Sequence, residues 1–161
     1  MDKVQIDTLT TALPPFLTGE GRRVDDVHRY VDSWLKDHQN GQLYVGCDSK
    51  VRGDIVKYAV VICLWDVGRG VNELYRKLTI PRPPDRYTRL WNEVTYAVET
   101  ADALRPITTN ITVHVDINSD ARFRSHQLYD ASMGLISSMG FHAAGKPNSW
   151  AASCGANRHC Q

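Results

Sequence analysis

Gln42-Leu43-Tyr44-Val45-Gly46-Cys47-Asp48 is a short, apolar, strand-like run that closes on a carboxylate. Two further runs follow it directly. Val56-Lys57-Tyr58-Ala59-Val60-Val61-Ile62-Cys63-Leu64-Trp65 is long and mostly apolar, as a central strand covered on both faces would be. Leu74-Tyr75-Arg76-Lys77-Leu78-Thr79-Ile80 comes after the turn material Gly68-Arg69-Gly70, and Pro81, Pro83 and Pro84 stop it. Only antiparallel neighbours can be joined by such tight turns, so the three runs predict an antiparallel meander.

Working outward toward the C-terminus, a helix of roughly five turns is expected from about Asp85 to Leu104, with Pro106 marking its end. Leu90, Val94, Ala97, Ala101 and Leu104 form its apolar stripe, and Glu93 falls on the same side. Ile111 to Asn118 alternates cleanly: Ile111, Val113, Val115 and Ile117 face one way, Thr112, His114, Asp116 and Asn118 the other. A helix from about Arg122 to Met139 ends at Gly140, and a short strand Phe141 to Ala144 leads through Gly145-Lys146-Pro147 to a last helix beginning near Ser149. Toward the N-terminus, Asp25 and Asp26 open a helix with Val24, Val27, Val31, Trp34 and Leu35 on one face, ended by Asn40-Gly41. Residues 1–23, with Pro14-Pro15 and Gly19-Glu20-Gly21, lack a strong period and read as an N-terminal arm to a single domain at 24–161. The order predicts an α/β fold: a mixed five-stranded sheet, three antiparallel strands then alternating helix and strand, flanked by helices with an extra N-terminal one. In it the fourth strand can pair in parallel with the first through a long crossover.

Nineteen basic against eighteen acidic side chains leave a formal charge of +1, so any contact with a polyanion has to come from a local basic patch. No stretch approaches the ~20 apolar residues of a membrane span, and Met1-Asp2-Lys3-Val4-Gln5 has no apolar signal core. The expected location is cytoplasmic, away from membranes. Cys47, Cys63, Cys154 and Cys160 lack CxxC spacing and read as buried free thiols; Cys154, His159 and Cys160 have no second ligand pair at finger-like spacing for zinc. The absence of GxxxxGK[ST] argues against an NTPase, and Ser149 and Ser153 lack an identifiable base and orienting acid.

Three carboxylates stand where a solvated acid is not expected. Asp48 and Asp116 each end a well-defined strand, and if those strands are parallel neighbours both acids reach the same end of the sheet. Glu93 occupies the sheet-facing side of the connecting helix. Three such anions repel one another unless cations lie between them, and carboxylate oxygens are the ligands hard cations prefer. Two magnesium or manganese ions roughly 4 Å apart would activate a water and stabilise the leaving oxygen of a phosphodiester. Each acid also has an ordinary alternative: Asp48-Ser49 as a turn start, Asp116 to Asp120 as a turn with Asp120 capping the next helix, Glu93 as a boundary residue. Their joint placement in one topology favours a shared site.

Gly46-Cys47-Asp48-Ser49-Lys50, then Glu93 on the helix after three strands, then His114-Val115-Asp116-Ile117-Asn118-Ser119-Asp120, is similar to the ribonuclease H-like superfamily. With Gly140-Phe141, Lys146-Pro147-Asn148-Ser149-Trp150-Ala151-Ala152-Ser153 and Ala156-Asn157-Arg158, the chain from about residue 24 to 161 resembles the bacterial and phage YkuK-like family. The resemblance implies that superfamily's fold and a divalent-metal site on Asp48, Glu93 and Asp116, with Asp48 bridging two ions. It also marks a departure. Active members usually add a fourth ligand, often an acid, from the C-terminal part, and no Asp or Glu follows Asp130 here. Asn148 stands where the acid is expected; its amide, or Asn118, His142 or Asn157, could substitute, with a weaker second ion.

Lys50, Arg52, Arg82, Arg86, Arg89, Arg122, Arg124, Lys146 and Arg158 fall around the three acids in sequence and form a candidate phosphate-contacting rim, with Tyr87 and Trp91 placed for base stacking. Taken singly, each is as readily a solvated surface charge. His114 is expected to pack, hydrogen-bonded, beneath a helix. The expected activity is metal-dependent hydrolysis of RNA, an RNA–DNA hybrid or structured DNA. The alternative is a non-catalytic nucleic-acid- or protein-binding module that keeps the fold.

Overall fold

The computed structural model describes residues 12–161, apart from the side chains of Ser153 and Cys154. The three apolar runs form β3 (Gln42–Arg52), β4 (Ile55–Asp66) and β5 (Gly70–Pro81), an antiparallel meander. Val56 and Tyr58 through Leu64 are 0–1% exposed, which is why the β4 sequence is continuously apolar where a half-solvated strand would alternate. Strand β6 (Ile111–Asn118) pairs in parallel with β3, and β7 (His142–Lys146) in parallel with β6. The crossover from β5 to β6 is α2 (Arg86–Ala103), capped by the Asp85 carboxylate, which accepts from Thr88 N at 2.7 Å.

The sheet has seven strands, in the order β2-β1-β5-β4-β3-β6-β7, where five were expected. The extra two, β1 (Phe16–Thr18) and β2 (Arg23–Val24), come from the stretch read as an arm and from Val24, which was expected on the helix that instead starts at Val27; β1 pairs on the outer edge of β5 through Leu17 opposite Tyr75. Strands of two and three residues are too short to display a period, so only their tertiary role reveals them: Phe16 is buried in the core, and Gly21 turns the hairpin at φ 87°.

Side chains alternate across the strands and divide the core. Val60, Ile62 and Leu64 of β4 join Val31 of α1 (Val27–Asp37) and Val94 and Ala97 of α2, while Val61 and Cys63 pack on the opposite face against Ala151 and Ala156. That second face is covered by a π-helical turn (Ala151–Ala156) running into the short α4 (Asn157–His159), where a simple helix from Ser149 was expected. The helix expected from Arg122 is likewise shorter. A 3-10 turn (Arg124–Leu128) precedes α3 (Tyr129–Ser138), because Asn118 and Asp120 accept from the backbone N–H groups of Asp120 and Arg122 at 2.9 and 3.0 Å and hold a local turn. Among the described residues, no helix is long and apolar enough to cross a membrane.

Candidate functional site

The site lies where two parallel strands part. Pairing between β3 and β6 runs from Leu43 opposite Ile111 to Gly46 opposite His114 and stops there. Asp48 and Asp116 are each two residues further on, so the shared register puts them at one level on the same side of the opening. Asp48 does not end its strand as expected, because β3 continues to Arg52 against β4; it ends only the shared part with β6. The opening is a cleft of about 470 Å³ whose lining includes Asp48, Ser49, Glu93, Asp116, Asn118 and Lys146.

Each acid has its own partners. Asp48 Oδ1 accepts from Ser49 N at 2.8 Å, and the Cys160 thiol points at Oδ2 from 3.9 Å. Burial and, more weakly, the charge of Asp116 push the Asp48 carboxyl up, against the pull of the Ser49 N–H, Arg89 and Lys146. Asp116 Oδ1 lies 2.9 Å from Lys146 Nζ. Glu93 is only 4% exposed: the Ser49 hydroxyl donates to its Oε1 while accepting from Arg89 Nη1 at 2.7 Å. Burial first, then the charge of Asp48, raises Glu93 to about 8.

The three acids therefore share a cleft and feel one another's charge. Their donor atoms are hard oxygens, the chemistry that Mg2+ or Mn2+ prefers, and a carboxyl raised as far as Glu93 is one that a cation would bring back to its ionised form. Among the described residues, however, no three His, Cys, Asp or Glu side chains stand close enough to form a ready cage. Glu93 is turned to Ser49, and Asp116 to Lys146.

The other expected residues divide. Arg86, Arg89, Arg122, Arg124, Lys146 and Asn118 do line the cleft. Lys50, Arg52, Asn148 and Arg158 do not. Lys50 donates to Gln161 Oε1, and Arg52 is exposed at the tip of the β3–β4 hairpin. Arg158 is 2.6 Å from Glu73 Oε2 on β5, so it anchors the C-terminal turn to the far side of the sheet. Asn148 is exposed beyond the end of β7, and His142 pairs with Thr112 at the opposite end of β6 from the acids. Asn157 Oδ1 accepts from Gln161 Nε2 at 2.9 Å. What the C-terminal segment brings to Asp48 is the thiol of Cys160.

Ser49, Cys160 and Phe123 are site residues that sequence reasoning missed. Ser49 was open to inference, since the residue after Asp48 in a strand must face the opposite layer, where α2 carries Glu93. Nothing local marks Cys160. His114 packs as expected: it is 2% exposed, burial lowers it to about 4, and its Nδ1 accepts from Ala151 N at 3.0 Å. Cys47, Cys63 and Cys160 are buried free thiols; the Cys154 side chain lies outside the described residues. Residues 23–161 match the family model described as Ribonuclease H-like. No curated protein and no solved structure matches the chain.

Proposed function

The chain belongs to the ribonuclease H-like family, and from that premise we propose that it is a nuclease that hydrolyses nucleic-acid phosphodiesters with divalent Mg2+ or Mn2+ held by Asp48, Glu93 and Asp116. One observation carries the reading: Asp48 and Asp116 lie at one level where β3 and β6 part, in a cleft that also takes in buried Glu93 and a rim of cations. Structural acids are ordinarily dispersed or paired one to one, whereas here the charges of Asp48 and Asp116 add to burial in raising Glu93, and that of Asp116 adds to burial in raising Asp48, which marks a place that a cation would stabilise.

Asp48, Glu93 and Asp116 would hold the ions, Asp48 shared between them, with the Asn118 amide oxygen as a neutral ligand. Bound there, the ions would activate water and offset charge on the leaving oxygen. The chain's own cations do the remaining work. Arg89 and Lys146 balance the acids, and Arg86 and Arg124 face phosphates at the rim. No Asp or Glu side chain lies between Asp130 and Gln161, and that segment brings the Cys160 thiol to Asp48 instead, so the second ion would be the weaker of the two.

The test is cleavage of labelled single-stranded, hybrid and branched substrates with Mg2+ or Mn2+. Asp48→Asn and Asp116→Asn should each reduce the rate at least about a hundredfold, the scale of losing metal-based charge stabilisation. Equal cleavage by wild type and both variants would remove the assignment. Tight binding without cleavage would leave the non-catalytic module.

A further inference from the structure

Beside the acid cleft lies a second hollow of about 240 Å³ that Tyr87, Arg122, Phe123, Arg124 and His126 help to line. The two depressions share Arg122, Phe123 and Arg124, so they form one continuous surface. Its aromatic content is unusual for this molecule. Six large hydrophobic residues are exposed among those described; of the three aromatic ones, Phe123 at 52% and Tyr87 at 41% line this surface, and Trp91 at 36% lies one turn beyond Tyr87 on α2. Tyr87 and Trp91 are four residues apart on α2 and so occupy one helix face. The exposed aliphatics Ile55, Val67 and Val71 sit instead at strand ends and hairpin tips.

Aromatic rings left in water forgo the stabilisation that burial would bring, so three of them beside a row of arginines call for a ligand with both flat apolar faces and negative charge. Nucleic acid has both. In a duplex, however, each base face is covered by its neighbours, and only phosphate, sugar and base edges reach a protein surface. A strand with unstacked bases offers its faces.

We infer that this surface is a track for single-stranded nucleic acid, its bases stacking on Phe123 and Tyr87, with Trp91 one turn further along α2, and its phosphates lying against Arg86 and Arg124. The inference rests on the nucleic-acid reading of the cleft and adds the strandedness of the substrate. Arg122 takes a smaller part, because Asp120 holds its guanidinium at 2.5 Å. Phosphate contacts supply affinity without strand preference, and the rings supply the preference.

The experiment is anisotropy with a labelled oligonucleotide of about twelve nucleotides, alone or as a blunt duplex, in EDTA so that binding is read without cleavage. The full chain should bind the single strand about tenfold more tightly than the duplex, and Phe123→Ala and Tyr87→Ala should each remove most of that preference while duplex affinity stays within about twofold. Phe123→Trp should restore it, and Val67→Ala, a distant exposed aliphatic, should change nothing. Equal affinity for both forms, parallel losses for both, or binding to neither would overturn the track. Cleavage of the same oligonucleotides with Mg2+ in place of EDTA, run alongside, separates the two ideas. Strand preference with no cleavage by the wild type would sink the nuclease and leave the track; cleavage with affinity indifferent to Phe123 would do the reverse.

Discussion

Asp48 and Asp116 stand side by side on adjacent parallel strands, each two residues beyond the last pair those strands share. Sheet register brings together residues far apart in sequence, and the negative charge of Asp116 contributes to holding the Asp48 carboxyl above its ordinary range. The consequence is a site whose charge has to be balanced, by side chains or by ions.

Lys146 competes with any cation for Asp116, from 2.9 Å away. Lys146→Met should therefore raise Mn2+ affinity about fivefold, equivalent to the ~1 kcal/mol that a partly exposed ion pair contributes. Titration calorimetry reads this directly. Unchanged or weaker binding would show that the ammonium does not occupy the ion's place.

Stability without metal should depend on pH from both directions. Glu93 is raised from 4.5 to about 8 in the fold, so the folded state holds its proton more tightly and loses stability as pH rises through that window. His114 is lowered from 6.5 to about 4, so stability present above 6.5 is lost as pH falls toward 4. Urea denaturation in EDTA should show a maximum between these limits. Glu93→Gln should flatten the alkaline side, where a single titrating carboxyl can cost up to roughly 1.4 kcal/mol as the pH rises by one. A slope that persists in that variant would assign the effect to another group.

Gly46 makes room for the C-terminal segment. A Cβ there would lie 2.6 Å from Ala152 N and 2.7 Å from the Ala151 carbonyl carbon, and backbone cannot swing aside as a side-chain tip can. Gly46→Ala should cost about 1–3 kcal/mol, the usual range for overpacking. It should also displace the π-helical turn and with it the Cys160 thiol from Asp48. Thermal melts and faster thiol labelling at Cys160 measure the two effects; a wild-type melt would mean that the turn relaxes freely.

Arg158 and His159 both bond Glu73, and His159 also stacks on Tyr75 with ring centroids 3.7 Å apart. Glu73→Gln should raise amide hydrogen exchange across residues 151–161 while leaving the β3–β4 hairpin protected. Arg158→Ala should leave oligonucleotide affinity within about twofold, whereas Arg124→Ala should weaken it and reduce the salt dependence by about one counterion. A larger loss for Arg158 than for Arg124 would return Arg158 to the binding surface.

Much of the architecture was legible in local pattern. The apolar run of β4 signalled burial on both faces, the alternation of Ile111 to Asn118 fixed which side Asp116 occupies, and the stripe through Leu90, Val94 and Ala97 carried Glu93 toward the sheet. The strands β1 and β2 were not legible, because three residues and two residues hold no period and their place depends on the free edge of β5. The 3-10 turn at Arg124 was hidden too, since side-chain bonds to the backbone at Asn118 and Asp120 outweigh a helix-compatible composition.

The sequence by itself determined which residues are buried, because burial follows the spacing of apolar side chains along the chain, and it named the three acids by their positions on predicted elements. Only the tertiary structure decided the company those acids keep. Whether Ser49 bonds Glu93, whether Lys146 meets Asp116, and whether Arg158 serves the cleft or the far edge of the sheet depend on strand register and on the path of the C-terminal turn. Such contacts join residues tens of positions apart, over distances at which a shift of one residue reverses the face a side chain takes, and no local periodicity encodes them.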